Sequence, residues 1–307
     1  MAGFTGCVES RRPGNLTTLI DCNLCDGCVD LDAPLCVAAC RQRAIERIPD
    51  PVEPIPQPFP RGEIEDWSNR KDVLDRLTPY THLYIQRVDI IDGDGGERTI
   101  YVPRRCMHCD NPPCATICPF TANHKHSNGA VVINSDMCFG GAKCRDVCPW
   151  EIPQRQSGIG IYLDLVPTLA GNGVMFKCDL CYDRVRDDRL PLCVEACHRF
   201  AMVFGQKRDI EMEAIRRAAQ VGGYLYGMRE NGGTGTIYLS PVSFDKVNDA
   251  IDSGPGRPHM AQVERRLEKA SVLESSVLLS PVIGMGAGLA AAALVAVKGR
   301  GGDGGGD

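Results

Sequence analysis

Residues 106–119 read CMHCDNPPCATICP, with cysteines at 106, 109, 114 and 118 and a proline closing the run. A C-x2-C hook brings two thiols to one metal centre. The C-x3-C ending sets the last thiol one helical turn further on, where it faces a neighbouring centre. Outward from this run the pattern recurs. Residues 178–197, CDLCYDRVRDDRLPLCVEAC, carry Cys178, Cys181, Cys193 and Cys197. Residues 138–150, CFGGAKCRDVCPW, carry Cys138, Cys144 and Cys148 before Pro149. Here Gly141 stands where the spacing C-x2-C-x2-C-x3-C-P requires a second cysteine. The N-terminal group has five cysteines: Cys22, Cys25, Cys28, Cys36 and Cys40. Of 17 cysteines in the chain, only Cys7 stands apart.

So many thiols in 307 residues narrow the chemistry. A disulfide scaffold is normally a short secreted chain, and a zinc site usually joins two separated C-x2-C hooks. Four groups with C-x3-C endings, two of them closing in Cys-Pro at 118–119 and 148–149, point instead to iron–sulfur clusters. The N-terminal group allows two registers. Cys22 and Cys25 can form the hook, or Cys25 and Cys28 can form it with Cys36 and Cys40 completing the set. The second register is preferred, and it leaves Cys22 as a buried small hydrophobe or a partner for Cys7. His108 reads as a hydrogen-bond donor to a sulfur or as a solvent-facing residue. His124, His126 and His198 lack ligand spacing, and Trp67 and Trp150 read as packing residues.

Between the cysteines the regular structure is short. NLTTLID (15–21), GAVVINSDMC (129–138), AMVFG (201–205) and GTIYLSPVSF (235–244) read as strands, and residues 80–103 alternate around the turn DGDGGE as a hairpin. Residues 209–220 and 258–274 have helical composition, and PDPVEPIPQPFPR (49–61) suits an extended surface arm. The expected fold class is α+β, with two ferredoxin-like modules of two clusters each and long loops. An outer module is split between residues 1–48 and 171–208, around a proline-rich arm (49–80) and an inner module (81–170), with an extension at 209–274. Residues 275–297, SSVLLSPVIGMGAGLAAAALVAV, carry no charge. A bilayer core needs about 20 such residues, so a single C-terminal transmembrane helix is expected, with a glycine-rich tail at 298–307. The net charge of −5 argues against nucleic-acid binding. Arg11-Arg12, with no apolar run behind it, reads as an exposed basic pair and not as a targeting signal.

CMHCDNPPCATICP, the C-x3-CPW ending at residue 150 and KCDLCYDR…PLCVEAC resemble the four-cluster ferredoxin-type beta subunits of membrane-bound oxidoreductases, especially those of formate dehydrogenases and periplasmic nickel–iron hydrogenases. The likeness covers roughly residues 17–250 and includes YLYGMRENGGTGTIYLSPVSFDK. It implies a crossed ligation scheme. One outer cluster takes Cys25, Cys28, Cys36 and Cys197, and the other takes Cys178, Cys181, Cys193 and Cys40. One inner cluster takes Cys106, Cys109, Cys114 and Cys148, and the other takes Cys138, Cys144 and Cys118, with Gly141 at the fourth position. The resemblance further implies a non-catalytic electron-transfer subunit. Its partners would be a molybdenum, tungsten or nickel–iron catalytic subunit, an integral membrane quinone-reactive or cytochrome b-type subunit, and membrane lipid. An inner-membrane, single-pass location follows. The absence of a visible signal favours the cytoplasmic face, whereas the resemblance favours the periplasmic one.

Glycine offers iron no side chain. Related subunits of nitrate reductases are similar in lacking a cysteine in the third group and in holding a [3Fe-4S] cluster. Three [4Fe-4S] clusters and one [3Fe-4S] cluster are therefore expected, the latter of raised potential on the side towards a quinone. The alternative is a fourth [4Fe-4S] cluster completed by water, Asp136 or Asp146. Two other functions compete: an enzyme using the incompletely ligated iron as a Lewis acid, and a zinc-binding structural module. The first lacks a nearby acid–base constellation, and the second does not suit the C-x3-C endings.

Overall fold

The computed structural model describes residues 15–58, 62–91, 96–165, 167 and 172–265. The N-terminal part contributes β1 (Leu16–Asp21), α1 (Leu35–Arg47), and the hairpin β2 (Tyr84–Ile91) and β3 (Glu97–Arg104). The middle of the chain is built of small pieces: α2 (Pro113–Thr116), β4 (Asn123–Lys125), β5 (Val131–Ile133), α3 (Lys143–Asp146), β6 (Gln154–Gln156), α4 (Tyr162–Leu165) and β7 (Val174–Phe176). Then follow α5 (Tyr182–Arg186), α6 (Leu192–Glu195), β8 (Met202–Gln206), α7 (Lys207–Val221), β9 (Tyr224–Tyr226), β10 (Thr236–Ser240) and α8 (Phe244–Asp249). The result is a mixed α/β chain of short helices and strands, and the described residues up to Glu264 form one compact unit.

Its organising element is the first strand. The order of the four-stranded sheet is β8-β1-β10-β9. β1 runs antiparallel to β8 (Leu19 opposite Val203) and parallel to β10 (Thr18 opposite Thr236). All six residues of LTTLID are buried, which suits a strand covered on both faces and made of β-branched and aliphatic side chains. Leu19 packs with Ile237 and Leu239 against Ile210 and Ala214 of α7, one face of that helix at i, i+4 spacing. The opposite face carries Ile20 and Cys22 into the main core with Val88, Val102, Tyr226, Tyr238 and Trp150. α7 ends where Gly222 takes a left-handed conformation (φ 63°), the usual stop for a helix.

The hairpin forms where the alternation places it. Tyr84 lies opposite Arg104 and Val88 opposite Ile100, with Val88 and Ile90 buried and Arg87 and Asp89 exposed. Two-stranded ribbons β4–β5 and β6–β7 brace the loops of the second, third and fourth cysteine groups. The proline-rich segment lies on the chain itself. The Val52 N–H donates to Gly158 O (2.9 Å), Glu65 and Ser157 exchange main-chain and side-chain bonds of 2.9 Å, and the Trp67 N–H donates to Gln156 Oε1. Helical composition at 258–274 is overridden over residues 258–265, which form no helix. There the carbonyls of Pro258 and His259 are both taken by Arg104 Nη2 at 2.9 Å. Among the described residues no helix is long and apolar enough to cross a membrane. The 275–297 span, Cys7 and Arg11-Arg12 all lie outside the described residues.

Candidate metal centres

The four hooks share one backbone device. The second residue after the first cysteine is left-handed in each: Gly27 (φ 69°), His108 (47°), Gly140 (66°) and Leu180 (59°). That twist turns its N–H back onto the preceding sulfur. His108 N–H donates to Cys106 Sγ (3.5 Å), Gly140 N–H to Cys138 Sγ (3.4 Å) and Leu180 N–H to Cys178 Sγ (3.4 Å). Gly27 N–H does the same for Cys25. Such donors favour a sulfur that carries negative charge, as a metal-bound thiolate does. The cysteine at the third position of each C-x2-C-xn-C-x3-C register sits in the first turn of a helix: Cys36 in α1, Cys114 in α2, Cys144 in α3 and Cys193 in α6. The fourth follows four residues later, at 40, 118, 148 and 197.

This common register is shared by the second reading of the N-terminal group. Gly27 occupies the position of His108, Gly140 and Leu180 only if Cys25 opens the hook. Cys22 falls outside it, buried at the end of β1, with its N–H donating to Leu239 O (2.8 Å). Replacing Cys22 with alanine should therefore leave the iron content unchanged and cost roughly 1 kcal/mol of stability for the small void. Cys25→Ala should remove one centre. Iron per chain and thermal unfolding of both variants check this, and loss of iron from Cys22→Ala would reverse the register.

The thiols converge across the sequence. Cys25, Cys28, Cys36 and Cys197 line one cavity with Ile85 and Met202. Cys106, Cys109, Cys114 and Cys148 line a second with Pro113, Trp150 and Lys177. Cys40 feels the charges of Cys178, Cys193 and Cys181, and Cys138 feels that of Cys118. The sets also neighbour one another in a row. Cys36 of the first faces Cys193 of the second, Cys178 of the second faces Cys106 of the third, and Cys144 of the last faces Cys114 of the third. The 16 cysteines among the described residues are all free thiols. Burial pushes Cys25 and Cys181 up to about 11, and Cys148 and Cys178 up to about 12. Bare, these thiols keep their protons at neutral pH, so capture of iron must release them. Enclosed thiol sets with inward N–H donors and no disulfides fit iron–sulfur clusters well.

In the third group the second hook position is Gly141. A Cβ built there meets nothing within 4 Å, and its backbone lies outside the left-handed region. Gly140 beside it is different: at φ 66° its Cβ would lie 2.5 Å from Gly173 O. The acidic residues of this loop are exposed and engaged elsewhere, Asp136 by Ser135 Oγ and Asp146 by Lys143 Nζ. Glu65, from the proline-rich segment, holds the loop through Arg145 (2.7 and 2.8 Å) and Arg155, which also donates to Gly140 O (3.0 Å). Burial works against the Glu65 carboxylate, but Arg145 and Arg155 outweigh it and keep its pKa below the usual range.

His108 takes neither of its expected roles with its ring. The side chain is fully buried, and Nδ1 accepts the Val131 N–H at 3.0 Å, so the ring fixes β5 while the main chain serves the sulfur. The His124 and His126 rings meet tilted, with centroids 4.2 Å apart, and His126 stacks on Tyr182 at 3.9 Å. Trp150 is a core residue whose Nε1–H donates to Tyr226 OH (2.8 Å), and Trp67 lies under Arg70. Sequence reasoning missed two buried cations, Arg105 and Lys177, each immediately before the first cysteine of a hook. Basic residues are ordinary at a surface, so nothing in composition marks them as buried.

Residues 98–207 match the 4Fe-4S dicluster domain family. Over 217 aligned residues the chain is 30% identical to a subunit of the sulfite dehydrogenase of Allochromatium vinosum, covering 68% of this chain and 76% of that one. Over 301 residues it is 27% identical to the hydrogenase-2 operon protein HybA of Escherichia coli O157:H7, covering 87% and 82%. A component of the anaerobic dimethyl sulfoxide reductase of Escherichia coli K12 is 38% identical over 105 residues, 34% of this chain and 45% of that one. Thiol sets of this kind define a protein that binds [4Fe-4S] clusters. The chain belongs to the family of iron–sulfur electron-transfer subunits of oxidoreductase complexes.

Proposed function

We propose that this subunit carries electrons through four iron–sulfur centres, between a catalytic subunit and an integral membrane quinone-reactive or cytochrome b-type subunit. The proposed ligand sets are Cys25, Cys28, Cys36 and Cys197; Cys40, Cys178, Cys181 and Cys193; Cys106, Cys109, Cys114 and Cys148; and Cys118, Cys138 and Cys144. The first three hold [4Fe-4S] clusters and the last a [3Fe-4S] cluster of raised potential. The observation that carries this reading is the single row of thiol sets, each within electrostatic reach of the next. When bound, the clusters supply one-electron exchange. The chain's part is to bury the thiols, aim N–H groups at them and keep neighbouring sets close.

Some of the exposed apolar side chains lie beside the thiols at the two ends of the row, which supports docking there. Leu24, Val29, Leu31, Leu35 and Phe200 surround the first set, and Phe120 and Met137 flank the last, where Phe120 stacks on Phe139 at 4.3 Å. The three-thiol set is supported by Gly141 and by the prior engagement of Asp136 and Asp146. Membrane attachment through residues 275–297, with the cluster domain on the periplasmic face, completes the proposal and rests on sequence alone. The catalytic partner is a sulfur-compound, hydrogen or formate oxidoreductase.

Electron paramagnetic resonance of the anaerobically purified protein, with iron and zinc counted, tests the reading. A [3Fe-4S] signal when oxidised and interacting [4Fe-4S] signals after dithionite are expected. Zinc in place of iron would remove it.

A further inference from the structure

Arg105 and Lys177 are both buried, exposing 1% and 6% of their surface. Among the described residues neither makes an ion pair with a carboxylate, and a buried cation without a counter-charge is strongly destabilising. Sulfurs dominate the surroundings of each, and for Lys177 the Asp179 carboxylate adds a weaker attraction. Arg105 Nη1 lies 3.8 Å from Cys193 Sγ, Nη2 donates to Thr236 Oγ1 (3.3 Å), and Nε has no hydrogen-bond partner among the described residues. Its charge is held by Cys193 and Cys178 on one side and by Cys106 on the other. Lys177 Nζ donates to the carbonyls of Val131 and Cys178, and faces Cys106, Cys114 and Cys178.

The two are equivalent in register and crossed in space. Arg105 precedes the hook of the third thiol set but touches a sulfur of the second. Lys177 precedes the hook of the second but lines the cavity of the third. At the corresponding position of the two outer hooks stand Leu24 and Met137, each 45% exposed. At this register, positive charge is thus placed only between the two central sets.

We propose that Arg105 and Lys177 act as a pair of positioning charges that raise the reduction potentials of the two central clusters, so that an electron passing along the row is held in its middle. This rests on the ligand sets proposed above. Four thiolates around an oxidised cluster core carry a net charge of −2. One electron arriving from a neighbouring set makes it −3 with no proton taken up, and the donor set returns from −3 to −2. A fixed cation favours the more negative state, most strongly at the shortest distance.

The test is redox titration of the fully assembled complex, followed by electron paramagnetic resonance, on wild type, Arg105→Gln, Lys177→Met and Arg105→Lys. Each neutral variant should weaken reduction of the two central centres at least tenfold, a fall of about 59 mV for a one-electron couple, and move the outer two less. Arg105→Lys, which keeps the charge, should restore most of the shift. If one neutral variant fails to assemble, the other carries the test, since each cation faces both sets. Unchanged potentials in neutral variants with full iron would overturn the proposal, as would a shift of equal size in Arg105→Lys. Fewer than four centres in wild type would instead remove the ligand assignment, and this is seen before any variant is made.

Discussion

If the third-group centre is the proposed three-iron cluster, Gly141→Cys should add one iron to it and abolish its oxidised [3Fe-4S] signal. The position is the second place of a hook whose equivalents are Cys28, Cys109 and Cys181. Its backbone is accessible to any residue and its Cβ would enter open space, so the new thiol carries no conformational penalty. The surrounding device is already in place, with Gly140 and Met175 N–H groups each donating to Cys138 Sγ at 3.4 Å. A fourth thiolate changes both cluster type and charge, and the potential of this centre should fall by on the order of 100 mV or more. Iron analysis and spectroscopy of the variant decide the matter. An unchanged iron count and spectrum would mean that the site already holds four irons or cannot accept a fourth.

Gly140→Ala, one residue away, should be costly. At φ 66° an L side chain costs about 1–2 kcal/mol. The new methyl would also lie 2.5 Å from Gly173 O and 2.6 Å from Gly173 C, both backbone atoms. Gly173 cannot retreat, because at φ 142° it lies against Gln156. Forcing the backbone apart costs about 1–3 kcal/mol more. The total of roughly 2–5 kcal/mol corresponds to a drop of about 5–15 °C in Tm for a unit of this size. Because Gly140 N–H serves Cys138 and Gly140 O anchors Arg155, this centre should be lost while the other three remain. Gly141→Ala is the control and should leave both iron and Tm close to wild type. A Gly140→Ala protein with full iron and wild-type Tm would show that the hook does not depend on this turn.

Much of the candidate site is legible in the spacing of the thiols. Spacing alone marks Cys106, Cys109 and Cys114 as one hook with its following thiol, because these contacts are local. Alternation placed the hairpin of Val88 and Ile100 for the same reason. The N-terminal register stayed open because Cys22, Cys25 and Cys28 are equally spaced, and only the left-handed Gly27 separates them. The parallel pairing of β1 with β10 joins residues more than 200 positions apart, and no short-range pattern encodes it. Arg105 and Lys177 were invisible for a related reason. Their burial depends on sulfurs brought in from other groups, so neither residue carries a local mark. The helix expected from 258 onward failed where Arg104 claimed the carbonyls it would have needed.

The position of β1 has a consequence for how the protein is made. The earliest of the described strands to be synthesised lies between β8 and β10, and the thiols just behind it share a cavity with Cys197. Neither its hydrogen-bonding partners nor that fourth thiol exist when residues 16–40 emerge. At about 5–20 residues per second, roughly 10–40 s of translation separate Cys40 from Ser240. Through that interval the nascent chain displays a bare, metal-hungry cysteine cluster that it cannot yet enclose. The two middle thiol sets close at different times as well, the one around Cys106 as soon as Cys148 appears and the one around Cys178 only with Cys193. Metal loading of the N-terminal end must therefore come late, after Cys197 has been added to the chain.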